Sequence, residues 1–584
     1  MKKVLLIITL TITLSGCGDS FDAAYSAFKS PLNSLPVVSI ESITGWQISP
    51  ASASGSATDS DNDTLTYSWS EVTSYGLTFT DPANPVTDVI FAGNPNGDVA
   101  VHAVIRLTAS DGEDESHKDI TLMIYRNDVI FVSESGTPLG SGENPESLLP
   151  GGDPGEIAFA IDTAISRSKK IVALAAGTYL ISTTSTSPAL VLKEGISIYG
   201  GFSPSDWRRN IQSNTSIIRD MNFYTTTAQY GAIRASTGIT KSTSLNGIVV
   251  EIGRGTWAIG IDCFSSSGLT VKDCTIRSRS DGTEINENQQ FGIILNNCGE
   301  VIIEGCTISL GETTYSSNTY SAGIAIIGTG TVLLNRNHIY GGRSKTTDAG
   351  ATNSYGINAF NIADSTTLII TNNIISSGIS ENGNSSGISI NSDGNPTYSF
   401  KIWNNTICAL NPFDKQTAAC VRVLTSAGSE YIDNNIFITT GNSNSYCVYM
   451  NALHTPDSLK NNLFFIDTAA SNYFVYSDGH TYNTLTETIE QMGSNLLSLG
   501  NISENIPNYL VDYDGPDNDI ITLDDNDWHI VKDINTPMNL VYGGIDLSAS
   551  VTHDFDGNAR TNADALKATN YNAGGFTIGA YEED

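Results

Sequence analysis

The residues best placed for acid–base work are Asp262, Lys272, Arg277 and Arg279, a carboxylate and three cations close together in the chain. Such a set holds a base and the counter-charge for an acidic substrate. Two observations weigh against it. Asp273 aligns with Gly305 and Arg336 of later repeat copies, so no column of carboxylates continues from it. Isolated charges on a repeat are first of all solvated surface groups. The seven His are dispersed, with no HExxH and no close pair, and neither a Walker loop nor a GxGxxG in a dinucleotide-binding setting is present. Of the eight Cys, Cys17 stands apart at the N-terminus. The seven others are an odd number and exclude a complete disulfide framework. Most are expected to be buried as small hydrophobes.

Around Cys17 the chain reads MKKVLLIITLTITLSGCGDS: two Lys, an apolar run from Val4 to Leu14, then Leu14, Ser15, Gly16 and Cys17. The run is too short to cross a bilayer, which takes about 20 apolar residues. It reads as an export signal over residues 1–16. Its end resembles the lipobox of bacterial lipoproteins. That resemblance implies cleavage before Cys17 and acylation of its thiol and amine, with several chains giving stable anchoring. Gly18 in place of Asp implies passage to the outer membrane, facing the surface or the periplasm. An ordinary cleaved signal and a free thiol are the alternative. Residues 17–40 then form a tether.

Lys and Arg number 29 against 62 Asp and Glu, a net charge of −33. Such a field opposes nucleic acid and anionic lipid surfaces. Abundant Gly, Ser, Thr and Asn suit an extracytoplasmic all-β protein rich in turns.

Residues 41–126 hold short alternating runs. LTYSW (Leu65–Trp69) follows an Asp-rich turn, and AVIRLTASDGEDESHKDITLMI places Val101, Ile105 and Leu107, then Ile120, Leu122 and Ile124, on one face. The segment resembles the immunoglobulin-like PKD and cadherin-like modules of cell-surface proteins, which serve as spacers or weak adhesive units. Some related loops bind calcium, which makes Asp59, Asp61, Asp63 and Asp111 the candidates. Calcium takes six to eight oxygens, and four carboxylates could seed that shell. A plain polar turn is the other reading. No other cofactor is required.

From residue 128 the pattern changes. Gly155–Ser168 has a helical apolar period, and AGTY, GISIYGGF and Trp207 follow. From Trp257 to Asp467 the chain then repeats. One column is Gly260, Gly292, Gly323, Gly356 and Gly387, continued by Cys420 and Cys447. A second is Cys274, Cys306, Asn337, Asn373, Asn405, Asn435 and Asn462. Two residues on stand Ile276, Ile308, Ile339, Ile375, Ile407, Phe437 and Phe464. Seven copies about 27–33 residues apart point to a solenoid. The most variable segments, 277–290, 311–320, 342–354 and 377–385, read as loops on one edge.

The order resembles the right-handed parallel β-helix, or pectin-lyase-like, superfamily, which implies an N-terminal helical cap and a coil over residues 128–584. Stacked strands lie about 4.8 Å apart. Asn337, Asn373, Asn405, Asn435 and Asn462 can therefore form a ladder, each amide offering a donor and an acceptor. Cys274 with Cys306, and Cys420 with Cys447, would be stack neighbours able to oxidise.

The expected architecture is all-β: a small immunoglobulin-like sandwich, then a right-handed parallel β-helix. The superfamily includes lyases and hydrolases as well as adhesins, and fold does not decide between them. Without an acid–base constellation, the expected role is non-enzymatic: a monomeric, lipid-anchored surface recognition or scaffold protein. Glycans are the favoured ligand, with Tyr315, Tyr320 and Tyr355 as a sugar platform. A polysaccharide lyase or glycoside hydrolase is the alternative.

Overall fold

A computed structural model describes residues 33–482 apart from short interior stretches, together with the strands Ile502–Glu504, Leu510–Asp512 and Asp527–Ile530. The signal-like segment and Cys17 lie outside the described residues, as do TLTETIEQM (484–492), whose sequence suits a short helix, and the closing DFDGNAR (554–560) and GAYE (579–582) stretches. The chain divides into two compact units, Met1–Asn127 and Asp128–Asp584.

The first unit is a β-sandwich. One sheet orders Val37–Ile40, Ala51–Thr58, Val86–Ile90 and Thr78–Phe79. The other orders Gln47–Ile48, Glu115–Tyr125, Ala100–Ser110 and Thr66–Glu71. Pairing is antiparallel except where Gln47 meets Ile124. Period-2 alternation turns Val101, Ala103, Ile105 and Leu107 inward against Trp69, Leu122 and Ile124, while Ile120 is only half-buried. The Trp69 indole keeps a buried partner, donating to Asn84 O at 3.1 Å.

The second unit is a parallel β-helix with three long faces. Face one runs from Val129–Ser133 to Ser458–Lys460, face two from Gly177–Ile181 to Ile502–Glu504, and face three from Leu190–Val191 to Asn472–Ser477. Face one also holds Leu149–Pro150 at its first edge, and from Ile171–Ala175 onward each turn of chain visits the three faces in order, with every inter-coil pairing between the described long strands parallel. Face three ends in an antiparallel hairpin, where Val475 pairs with Tyr482. Ile261, Ile293, Ile324, Ile357, Ile388, Val421 and Val448 stack in register and are fully buried. The cap is α1 (Glu156–Ser166), which lays Ile157, Ala160, Ile161 and Ala164 on the first coil. Its Phe159 and Ile165, apolar in the helical pattern, instead point outward, 59% and 47% exposed.

The sequence columns pack against one another. A Cβ placed on Gly260, Gly292, Gly323, Gly356 or Gly387 would stand 2.4–2.7 Å from Cγ2 of Ile276, Ile308, Ile339, Ile375 or Ile407. Face three can approach face two only if that position lacks a side chain. Where the partner column becomes Phe437 and Phe464, the Gly column becomes Cys420 and Cys447.

The corner between faces one and two carries the asparagine ladder. Asn405 Nδ2 donates to Ile370 O at 2.9 Å and to Asn435 Oδ1 at 3.1 Å. Its Oδ1 accepts from Asn373 N at 2.9 Å and Asn373 Nδ2 at 3.0 Å. The pattern repeats from Asn337 to Asn462, and all five amides are fully buried. The residue before each of the first six positions of this column bends left-handed: Asp273, Gly305, Arg336, Asn372, Asn404 and Asn434 have φ of 51–63°. Asn and Gly bear that conformation at least cost, so Asp273 answers a backbone need.

The segments expected to be variable loops are partly regular. Glu312–Tyr315, Arg343–Thr346 and Ile379–Ser380 form a fourth parallel ladder. Behind it lie buried hydroxyls: Ser321 and Ser344 Oγ are 2.9 Å apart, Ser321 donates to Ser354 at 3.1 Å, and Thr352 and Ser380 are 2.8 Å apart. Short polar residues gave no apolar period by which to see these strands.

Candidate functional site

Face three bends at its Gly column. Gly260 and Ile261 both face inward, so the outward side chains on either side of the bend converge. They form an apolar cluster separate from the interior: Ile259, Phe291, Ile294, Ala322, Ala325 and Tyr355, edged by half-buried Trp257, Tyr320, Ile327 and Phe360. Four rings follow one another along the coil axis. Trp257 to Phe291 is 5.8 Å between centroids, Phe291 to Tyr320 is 5.3 Å, and Tyr320 to Tyr355 is 5.4 Å.

Polar groups interrupt the strip. Asp262 Oδ2 lies 3.3 Å from Arg234 Nη1, and that guanidinium stacks 4.7 Å from the Phe264 centroid. Burial pushes the Asp262 carboxyl up to about 6, while Arg234 pulls the other way. The Asn358 amide meets the Tyr320 hydroxyl. Farther along, Arg422 lies 5.6 Å over the Tyr449 ring. Its Nε is buried without a hydrogen-bond partner among the described residues. Rings with flanking amide, guanidinium and carboxylate groups can stack on an apolar sugar face and bond to its hydroxyls.

The candidates of the sequence are placed as follows. Tyr320 and Tyr355 are on strands of face three rather than on loops. Tyr355 is 7% exposed and offers no open ring, whereas Tyr320 is half-buried at the edge. The Tyr315 side chain lies outside the described residues. Asp262, Lys272 and Arg277 stand on three different faces. Lys272 Nζ is 3.6 Å from Glu304 on its own face. Arg277 and Arg279 do come together, with Arg219, around Glu251 and Asp220. Arg277 and Arg219 hold Glu251 at 2.8 and 2.5 Å, and Arg279 donates to Asp220 O at 3.0 Å. Despite its burial, those two guanidiniums keep the Glu251 carboxyl below its usual range. Trp257, Phe291 and Arg422 were not singled out in the sequence. Trp257 and Phe291 stand in two different outward columns and Arg422 in a third, so no one column is aromatic.

In the sandwich, Asp59, Asp61 and Asp63 bring carboxylate oxygens within 4.8 Å of one another. Asp59 Oδ1 accepts from Asp61 N at 2.8 Å, while its Oδ2 is buried without a hydrogen-bond partner. Asp111 stands outside this group. Its Oδ1 accepts from Glu113 N and Asp114 N at 2.8 and 2.7 Å, and these turn amides hold its carboxyl below the usual range. Asn33 Nδ2 bonds Asp111 while Ser34 N bonds Asp61, so adjacent residues tie the two turns.

Comparison with protein-family models, curated proteins and solved structures finds no match to this chain. The functional reading therefore rests on the geometry alone.

Proposed function

We propose that this chain is an exported recognition protein, held to a membrane by lipid on Cys17, that binds glycan along the outer strip of face three. The observation that carries the reading is the apolar strip, partly open at Trp257, Tyr320 and Phe360, with Asp262–Arg234, Asn358 and Arg422 along it. Binding without cleavage is favoured because Asp262, Lys272 and Arg277 occupy separate faces and each already has an ion-pair partner. The full chain on a glycan array tests the reading. Binding should be weakened by Trp257→Ala and by Arg422→Ala; an unchanged profile in both variants would remove the strip from consideration. Labelled fatty acid incorporated by the wild type and lost in Cys17→Ser tests the anchor.

The enzymatic alternative draws on the burial of Asp262, which pushes its carboxyl up to about 6, toward the range of a proton donor near neutral pH. New reducing or unsaturated ends in a bound polysaccharide, absent with Asp262→Asn, would establish it.

The Asp59, Asp61 and Asp63 group is proposed as a calcium site on the strength of its converging oxygens and the unbonded Asp59 Oδ2. Calcium should raise the melting temperature of the wild type, chelator should reverse it, and Asp61→Asn should abolish the shift. Equal melting with calcium and with chelator would leave only a polar turn.

A further inference from the structure

Six of the seven cysteines beyond Cys17 meet in pairs across neighbouring coils. Cys274 and Cys306 share a hydrogen bond, as do Cys420 and Cys447. The third pair was invisible in the repeat columns because its members occupy different positions. Cys263 lies within the strand Trp257–Phe264 of face three, and Cys298 lies in the turn of the next coil, after Gln289–Asn296. Their Sγ atoms are 2.8 Å apart. That is closer than two unbonded sulfurs rest comfortably, and a disulfide needs only contraction to about 2.05 Å.

We propose that Cys263 and Cys298 are joined by a disulfide in the oxidised protein, forming a covalent staple between two consecutive coils. Three observations point the same way. The sulfurs already face each other, and Cys298 Sγ also lies 3.0 Å from Cys263 O, which fixes its direction. The Ser266 hydroxyl, 2.9 Å from Cys263 Sγ, closes the other side of the pair. Burial excludes competing partners, since Cys263 is 0% and Cys298 4% exposed. The inference is independent of glycan binding.

The chemistry balances with a disulfide of a small thiol, such as glutathione disulfide, as oxidant. Either cysteine can open the exchange as its thiolate, and the balance is the same with Cys298 first. The Cys298 thiolate attacks one glutathione sulfur, forming a mixed disulfide and releasing one glutathione, which takes up the Cys298 proton. Cys263, losing its proton, then attacks Cys298 Sγ and expels the second glutathione. Two thiols become one disulfide as glutathione disulfide is reduced to two thiols. Both groups are covered in the folded coil, so the exchange must occur while the chain is still folding.

The test is to refold the full chain with glutathione disulfide, denature it without reductant, alkylate it and map its peptides. The expected result is one linked pair holding Cys263 and Cys298, two hydrogens lighter than the sum of the free peptides. It should be absent after refolding in reductant. Cys263→Ser should trap glutathione on Cys298, because the resolving thiol is gone. Three results would overturn the proposal: both cysteines alkylated after oxidative refolding, stable glutathione on Cys298 in the wild type, or either cysteine linked elsewhere. Should the variant not fold, the wild-type map still decides.

Discussion

Two stacks run along the axis of the β-helix, and they differ in where their bonding capacity goes. At the corner between faces one and two, each asparagine spends its amide on the coils beside it. Asn435 donates to Ile402 O at 2.8 Å and to Asn462 Oδ1 at 3.1 Å, and accepts from Asn405. On the outside of face three, the rings meet each other but Trp257, Tyr320 and Phe360 keep part of their surface open. A closed stack holds coils in register. An open one has apolar surface and polar atoms left for a ligand. Substitutions should therefore separate the two: stability loss at the corner, binding loss on the strip.

The largest effect on stability is expected from Asn405→Ala. It removes the acceptor used by Asn373 N and Nδ2 and leaves the carbonyl of Ile370 without its donor. Buried groups left unpaired cost about 1–3 kcal/mol, so denaturant or thermal unfolding should shift clearly downward. Asn405→Cys should cost less, since Cys274 and Cys306 fill this rung in earlier coils. Equal stability of Asn405→Ala and wild type would show that the ladder does not hold the corner.

Gly356→Ala comes next. Its Cβ would stand 2.5 Å from Ile375 Cγ2 and 2.7 Å from Gly387 O. Overpacking of this kind costs about 1–3 kcal/mol, but the Ile375 methyl can yield by a rotamer change where a lost hydrogen bond cannot. Ile375→Ala in the same chain should recover part of the loss, and strict additivity of the two changes would refute the contact.

These two columns were legible because every coil imposes the same demand on the same position. A left-handed turn, a buried amide and a close approach recur each time the chain comes round, and the residue types recur with them. The strip was not legible for the opposite reason. Trp257 aligns with Gln289 and Tyr320, while Phe291 aligns with Ile259, Ala322 and Tyr355. The aromatic path crosses between two columns that lie two residues apart on the same strands, so neither column alone is aromatic. The fourth ladder escaped because Thr313, Ser344 and Ser380 are buried by hydrogen bonds rather than by apolar character. Charge proximity in sequence misled about Asp262, Lys272 and Arg277, since ten residues carry the chain from Asp262 to Lys272 on the next face and five more to Arg277 on the one after.

Asp262→Asn tests the electrostatics of the open stack. Its folded carboxyl is raised from 3.8 to about 6. A raised acid contributes stability that is full below the unfolded value and is lost as pH climbs through the folded one. At about 1.4 kcal/mol per unit, the span amounts to at most roughly 3 kcal/mol. Asparagine has no such titration. The melting temperature of Asp262→Asn minus that of the wild type should rise between pH 4 and pH 7. A flat difference would mean that Arg234 holds the carboxylate ionised throughout.

The smallest effect on stability, and the largest on ligand affinity, is expected from Trp257→Ala. Trp257 is half-buried at the edge of the strip and meets Phe291 at 5.8 Å. An aromatic pair of this kind is worth about 0.5–1.5 kcal/mol beyond its buried area. Part of the indole surface remains open at the edge of the strip, so truncation leaves no enclosed cavity, and unfolding should move only slightly. A ligand that lies on the strip would lose a stacking partner outright. Affinity measured by calorimetry on any glycan found to bind should fall by tenfold or more, about 1.4 kcal/mol, while Asn405→Ala, measured below its unfolding range, leaves affinity unchanged. The two variants thus cross: one loses stability and keeps binding, the other keeps stability and loses binding. If Trp257→Ala unfolds early and binds normally, the open stack is a second structural ladder, and the recognition surface lies elsewhere on the coil.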